Sequence, residues 1–509
     1  MTARRLLKAL GLAETLGIGF LAITCGGDAV TSEATQDQVL VTYVGERLDS
    51  FLAAAVEAYD IPGLTVAVVR QGEIVYEEAF GVENLDTGEP LSPQHLFHFA
   101  SVSKPFVATA VMQLVEQGKI DLDEKVITYL PYFELADPAY AEITIRQMLN
   151  HTSGMPDVED YEWDNPQTDE GAAERYVRSL SGESMIGPPG GQCVYSNMAF
   201  DTLGDVIAKI SGLSFEAYVK KNILDPLGMV ESNFLYPETN PELRTTGHVW
   251  DVGPRVSEHY PYNRRHAPSS TLNSSVHDMT RWVLGNLQRG ELDSTRILED
   301  SSYDVLWAPS AEMGSSHVGL SWFLQEFDGI PTISHGGGDV GFSSYVVLLP
   351  EDKSGFVLVS NYDRSPVRML RDSLIGILQG EEPDRPLRPI GYDFAKVYFE
   401  EGLESAKSFY RQAAETQATE YLFSDRQINS IGYLLLGQDN LDGAIEVFGF
   451  NVELYPEIGN TYDSLGEAYL AKGEEALAIK NYSRALELDP DNDHAREVLQ
   501  NLGALPADQ

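Results

Sequence analysis

The sequence predicts an α+β domain followed by an α-helical repeat domain, and three observations carry that prediction. An amphipathic segment over 39–59 is followed by apolar–polar alternation over 63–83 around Gln71-Gly72, the pattern of a helix and then a hairpin. A second strand-rich region, 319–327, 332–350 and 355–360, is divided by turn signals at Asp328-Gly329 and over 352–354. Beyond a proline-bearing stretch at 381–389 the chain repeats itself with a period of 34 residues. A sheet whose strands come from both ends of a domain, with a mostly helical block between them, defines one α+β unit.

Composition bounds what that unit does. Of 509 residues, 43% are hydrophobic and 10% aromatic, enough to build a core and too many for a disordered chain. Thirty-five Lys and Arg face 78 Asp and Glu, a net charge of −43, and only 12 of the basic residues are lysines. Nucleic acid is a poor partner for such a surface, because phosphate binding needs a positive field. An acidic, lysine-poor exterior is what a salty medium favours, where salt screens the repulsion among carboxylates.

Taken in chain order, the N-terminus comes first. Arg4, Arg5 and Lys8 precede an apolar run over 15–24 that ends at Cys25, the layout of a signal peptide over 1–25. The run is too short to span a membrane. Leu21-Ala22-Ile23-Thr24-Cys25 resembles a bacterial lipoprotein processing site, with Cys25 the candidate for lipidation, although Thr24 stands where Gly, Ala or Ser is usual. The alternative is ordinary cleavage a few residues later. Both readings place the body outside the cytoplasm, secreted, periplasmic or lipid-anchored in a bacterium, with membrane contact only through such an anchor. Residues 26–38 then form a polar tether, and Cys193 is left without a disulfide partner.

The α+β domain is expected over 39–380, a linker over 381–400 and the repeat domain over 401–509. In the last, Ile431-Gly432, Ala444, Phe448 and Pro456 recur as Leu465-Gly466, Ala478, Tyr482 and Pro490. This resembles the tetratricopeptide repeat, in which small residues let two helices approach, aromatics fill the gap and Pro ends the second helix. The segment 402–423 is helical in pattern and reads as a degenerate third unit or a brace. The repeats imply a protein or peptide partner, or else a purely structural role.

Three motifs carry chemistry. Ser101-Val102-Ser103-Lys104 precedes Val107, Ala110, Val111 and Leu114 at helical spacing, and Lys104 is the only lysine with Ser three residues before it. A helix starting near Ser101 puts hydroxyl and amine on one face, where a lysine with a lowered pKa can take the proton of an attacking serine. Tyr195-Ser196-Asn197 is the one Tyr-x-Asn in the chain and opens another helix; its phenol can share proton transfer and its amide can orient base and substrate. His335-Gly336-Gly337-Gly338 ends a strand over 331–334, and glycines there let a substrate backbone approach a strand edge. His317-Val318-Gly319 is a second His-x-Gly, but it joins no glycine run.

In this order the motifs resemble the penicillin-recognising serine hydrolases, most of all the class C β-lactamase-like branch of penicillin-binding proteins, carboxypeptidases, amidases and esterases. The resemblance covers roughly 39–380, including Leu149-Asn150-His151-Thr152-Ser153-Gly154-Met155-Pro156, taken as scaffold around the site. It implies an antiparallel sheet flanked by helices with an inserted all-α region. It implies an acyl-enzyme on Ser101, acid–base work shared by Lys104 and Tyr195, and substrate held by Asn197 and His335. The oxyanion would be bound by the Ser101 amide and the Gly337-Gly338 strand, most plainly Gly338. No metal and no cofactor is expected. His335 stands where β-lactamases carry Lys, which favours a small acyl substrate such as a D-alanyl-D-alanine peptide, a D-amino-acid amide or an ester. The alternatives are a true class C-like β-lactamase and a non-catalytic peptide-binding protein that works through its repeats.

Overall fold

The structure is a computed structural model that describes residues 36–506. The expected signal peptide, Cys25 and most of the tether lie outside the described residues.

Helix α1 (Gln36–Ala58) leads into strands β1 (Gly63–Arg70) and β2 (Glu73–Gly81). The late strands are β3 (Ala311–Met313), β4 (Ser316–Val318), β5 (Phe323–Phe327), β6 (Ile330–Asp339), β7 (Phe342–Leu349) and β8 (Ser354–Ser360). Together they form one 8-stranded sheet in the order β2-β1-β8-β7-β6-β5-β4-β3, with every paired neighbour antiparallel. β1 pairs with β8 one strand in from the β2 edge of the sheet, so the two ends of the domain close on each other, as the sequence predicts.

The central strands read as unbroken apolar runs because both faces are covered. Leu64, Val66 and Val68 of β1 join Val347, Leu349, Phe356 and Leu358 in a core beneath α1 and the helix Val367–Leu378. The alternate residues Ala67, Val69, Val346, Leu348, Val357 and Val359 face the larger core shared with the helical block. That second face carries the candidate site. Its principal helices are α2 (Lys104–Glu116), α3 (Asn197–Ser211), α4 (Ala267–Ser270) and α5 (Val276–Leu287). Ser196 caps α3 by accepting from the Ala199 N–H at 3.2 Å, and Gly212 ends it at φ +76°.

Two expectations need correction. The strand-like stretch 319–327 is strand only from Phe323, because Ser321 sits at φ +72° and Gly319 abuts the Leu306 carbonyl, where a Cβ would lie 2.3 Å away. The linker expected over 381–400 ends much sooner. Ile390–Glu401 is a helix, α6, whose Ile390, Phe394 and Ala395 are buried in the repeat core.

The repeat region continues as α7 (Leu403–Thr416), α8 (Asp425–Gly437), α9 (Leu441–Leu454), α10 (Gly459–Ala471), α11 (Glu475–Leu488) and α12 (Asp493–Asn501). The pairs α8/α9 and α10/α11 are the two copies seen in the sequence. In each, a glycine meets the aromatic of its partner helix: a Cβ on Gly432 would lie 2.3 Å from Phe448, and one on Gly466 3.1 Å from Tyr482. This domain is docked on the first. Arg388 grips Asp60 and Asp393 with four hydrogen bonds of 2.8–2.9 Å, and Tyr392 stacks on Trp250, centroids 6.0 Å apart. α6 is therefore the brace that the sequence offered as one reading of the segment after it.

Candidate active site

Ser101 opens a 3-10 turn (Ser101–Ser103) that runs directly into α2. The helical spacing holds through the junction, with Pro105 accommodated in the first turn. The residue before the turn, Ala100, is held at φ +48°, ψ −130°, a conformation costly for any side-chain-bearing residue.

Lys104 is fully buried and all three of its ammonium protons are committed. They go to Ser101 Oγ at 3.0 Å, Asn197 Oδ1 at 2.5 Å and the Ser269 carbonyl at 2.8 Å. Loss of hydration pushes its pKa down to about 7, against the opposing pull of the Asp201, Asp157 and Asp339 carboxylates. The Tyr195 ring lies 4.9 Å from the ammonium. Burial drives the Tyr195 phenol well above its ordinary range, while the Ser101 hydroxyl beside it pulls the other way. Tyr195 is therefore a phenol, not a phenolate, at neutral pH.

On the opposite wall, cross-strand partners define which residues face the site. His335 pairs with Val346 and Gly337 with Ser344, and Val346 belongs to the core on the site side of the sheet. The glycine run is inside β6 rather than after it. Pairing with β5 stops at Ser334, leaving the stretch from His335 to Asp339 with an open edge. A Cβ on Gly337 would sit 2.2 Å from the Phe99 carbonyl and 3.0 Å from the Ser101 amide, so only glycine lets β6 lie against the nucleophile. Asp339 pairs with Phe342 across the Val340-Gly341 turn, with Gly341 at φ +81°. The pair closing such a turn exchanges backbone hydrogen bonds, so the next pair, Gly338 with Ser343, does not. The Gly338 N–H therefore points to the open edge, on the same side as the Ser101 amide, which heads its turn without an intrahelical acceptor.

His335 is 1% exposed and donates from Nδ1 to the Gly336 carbonyl at 2.8 Å. Burial first, and the nearby Lys104 second, bring its pKa down to about 3. It is a neutral imidazole with Nε2 as a buried lone pair. His317 is exposed on β4, which β5 separates from β6, so it is not part of this wall.

Several contributors escaped the sequence. His151, at φ +61°, stacks on Tyr195 with centroids 4.3 Å apart and accepts the Ser196 N–H at 3.2 Å, so the scaffold segment touches the site directly. Asp157 accepts both the backbone and the side-chain N–H of Asn197, at 2.8 and 2.9 Å, turning its amide oxygen toward Lys104. Ser269 contributes only a carbonyl, for which no residue type is a signal. Among the described residues no cluster of His, Cys, Asp and Glu is arranged to hold a metal ion.

A family model described as Beta-lactamase matches residues 48–379, and a Tetratricopeptide repeat model matches 459–492. Protein flp of Staphylococcus aureus strain COL is 24% identical over 330 residues, which is 65% of this chain and 65% of that protein. Penicillin-binding protein 4* of Bacillus subtilis strain 168 is 28% identical over 345 residues, 64% of this chain and 74% of that one. Among solved structures, the octameric penicillin-binding protein homologue from Pyrococcus abyssi is similar at a TM-score of 0.60 and 25% identity, covering 70% of this chain and 81% of its own. The chain thus spans 65% of the length of the flp relatives it matches.

Proposed function

Since the chain belongs to the beta-lactamase family, whose members are generally serine hydrolases, we propose that it hydrolyses an amide or ester carbonyl through an acyl-enzyme on Ser101. The observation that carries this reading is the buried Lys104 amine, 3.0 Å from Ser101 Oγ and with a pKa near 7. A lysine there is half deprotonated at neutral pH and serves as a base, which an ordinary lysine does not.

Neutral Lys104 takes the Ser101 proton as Oγ bonds to the carbonyl carbon, and the oxygen's charge settles on the Ser101 and Gly338 amides. The Tyr195 phenol, protonated at neutral pH, delivers its proton to the leaving nitrogen or oxygen and takes a replacement from the Lys104 ammonium. Asn197, locked by Asp157, holds Lys104 and presents its remaining N–H to the substrate. Water then attacks the ester by the same steps in reverse.

Neutral His335 supplies no cation for a drug or peptide carboxylate. This favours a D-amino-acid amide or a short ester over a true β-lactam, and ranks a D-alanyl-D-alanine-like peptide below them, because it too brings a carboxylate. The work is done outside the cytoplasm, consistent with the N-terminal signal pattern, and the repeats recruit a protein or peptide partner.

Wild type and Ser101→Ala are to be compared on p-nitrophenyl acetate, D-amino-acid amides, D-alanyl-D-alanine peptides and nitrocefin. Turnover by the wild type alone is expected, and equal negligible rates would overturn the reading in favour of a binding protein. The repeats are tested by truncation. Ending the chain at Pro389 strips Trp250 of its stacked Tyr392 and removes Asp393, one of the two partners of Arg388, so it is expected to melt well below the full chain. Ending it at Pro456 keeps the brace and is expected to leave ester hydrolysis intact.

A further inference from the structure

The catalytic wall of side chains and the strand wall of backbone amides come from different parts of the chain, and one short element touches both. We propose that α4, clamped between the carboxylates of Asp201 and Asp339, is a positioning element that keeps Lys104 and the Gly338 strand in register. The proposal rests on the reading of Lys104 as the base.

Asp201 stands four residues after Asn197 on α3, so both project from the same face. It is fully buried, and both of its oxygens are occupied. Oδ1 accepts the Ser269 N–H at 3.2 Å, and Oδ2 meets His266 Nδ1 at 2.7 Å. His266, also fully buried, is walled by the rings of Tyr161 and Tyr176, each with its centroid 4.9 Å away. Asp201 thereby grips the chain at the residue entering α4 and again inside it at Ser269, whose carbonyl is the third acceptor of Lys104. Gly204, one turn further along α3, lets Pro268 of α4 come close, since a Cβ there would lie 2.1 Å from the proline ring.

The next residue ties to the other wall. Ser270 Oγ donates to Asp339 Oδ2, the same oxygen that meets His98 Nε2 at 2.8 Å. Asp339 directly follows Gly338 and closes the hairpin of β6 and β7. Adjacent residues thus carry opposite duties: Ser269 aims the lysine, and Ser270 moors the oxyanion strand. A buried carboxylate pays for its desolvation only through such fixed partners, which makes both clamps stiff.

The ionisable groups around these centres come from several elements. Lys104 faces Asp157, Asp201 and Asp339 as well as the His151 and His335 rings. Asp201 acts on His266, Tyr161 and Tyr176, and Asp339 on His98, Tyr161, Tyr195 and Tyr260.

The test uses the full chain with Asp201→Asn, Ser270→Ala and the double variant, each checked for an unchanged thermal midpoint. The near-isosteric asparagine and the small serine truncation are chosen to preserve the fold. On p-nitrophenyl acetate each single variant is expected to lose on the order of 10- to 100-fold in kcat with little change in KM. The double variant is expected to lose clearly less than the product of the two, since both act through one element. Independently of turnover, lysine labelled with carbon-13 at Cε reports the Lys104 titration, assigned by its loss in Lys104→Met. Removing the Asp201 charge should move that titration to lower pH. A folded Asp201→Asn protein with wild-type kcat and an unmoved Lys104 titration would overturn the clamp, as would strictly multiplicative losses. A wild-type Lys104 that titrates near 10 would instead sink the base assignment while leaving the coupling measurement to judge α4.

Discussion

The two walls of the cleft are built on opposite principles. The helical wall works with side chains: a hydroxyl, an amine, a phenol and an amide, each held by a hydrogen bond or stack to a named neighbour. The strand wall works with backbone, with Gly337 lying against the nucleophile without a side chain and His335 stripped of charge. Nucleophilic attack needs a specific titrating group, which only a side chain supplies. Stabilising an oxyanion needs rigid N–H donors, which any residue supplies so long as nothing blocks the approach. Substitutions should therefore act through lost chemistry on one wall and through lost shape on the other.

The largest effect is expected on the helical wall. Ser101→Ala and Lys104→Ala should each lower kcat by on the order of 10,000-fold or more, and the double variant by little beyond either, because the two act as one unit. Single-turnover acylation by p-nitrophenyl acetate measures this. A Lys104→Ala enzyme within tenfold of wild type would mean that another group takes the serine proton.

On the strand wall the effect should follow space rather than chemistry. Gly337→Ala drives a Cβ into the Phe99 carbonyl and the Ser101 amide and should cost about 100- to 1,000-fold in kcat, the loss of an oxyanion donor. Gly338→Ala places its Cβ in open space and should stay within a few-fold, although Gly338 is the one whose N–H is used. The opposite ranking would show that the donor assignment along β6 is out by one residue.

This asymmetry also explains what was legible beforehand. Ser101, Lys104, Tyr195 and Asn197 are residue types with few other reasons to stand at those spacings, and the structure brings all of them within one hydrogen-bonded group. The glycines were visible only as a run, and which of them is packed and which is open depends on register with β7. Ser269 was invisible because its contribution is a carbonyl, and Asp157 and His151 because a loop fold, not a spacing, brings them to Asn197 and Tyr195. The same limit applied to the fold. Alternation and turn signals announced β1, β2, β7 and β8, whereas the short strands β3 and β4, at and next to the far edge, bury little and left no pattern. α6 was hidden by the prolines just before it, and its helix begins as soon as Pro389 is passed.

A third expectation separates the walls by pH. If Lys104 is the base, acylation should rise about tenfold per pH unit below a midpoint near 7 and level off above it, because only the unprotonated amine accepts the serine proton. His335, with its pKa near 3, should contribute no limb, so His335→Gln should alter affinity without moving the profile. Folding carries the same signature. Lys104 binds its proton less tightly folded than unfolded, so the unfolded chain holds more protons between about pH 7 and 10.5, and stability gains from this group as pH rises through that window. A Lys104→Met protein should lack that slope in denaturant titrations. A profile that follows His335 instead would give the strand wall a chemical role.

The smallest effect concerns the joint between the walls. Ala100 holds φ +48° with its methyl buried, at a cost of about 1–3 kcal/mol in strain. Replacing it with glycine relieves that strain, but it gives up about 0.8 kcal/mol of methyl burial and about 0.5–1 kcal/mol through the freer unfolded chain. These nearly cancel, so Ala100→Gly should melt within a few degrees of wild type, at or slightly above it. The gain or loss in rate is the more telling number. Ala100 is the residue directly before Ser101, so a looser joint there should lower kcat a few-fold with KM unchanged. An Ala100→Gly protein that melts many degrees lower would show that the backbone there is relaxed, and that the position of Ser101 between the walls is set by packing alone.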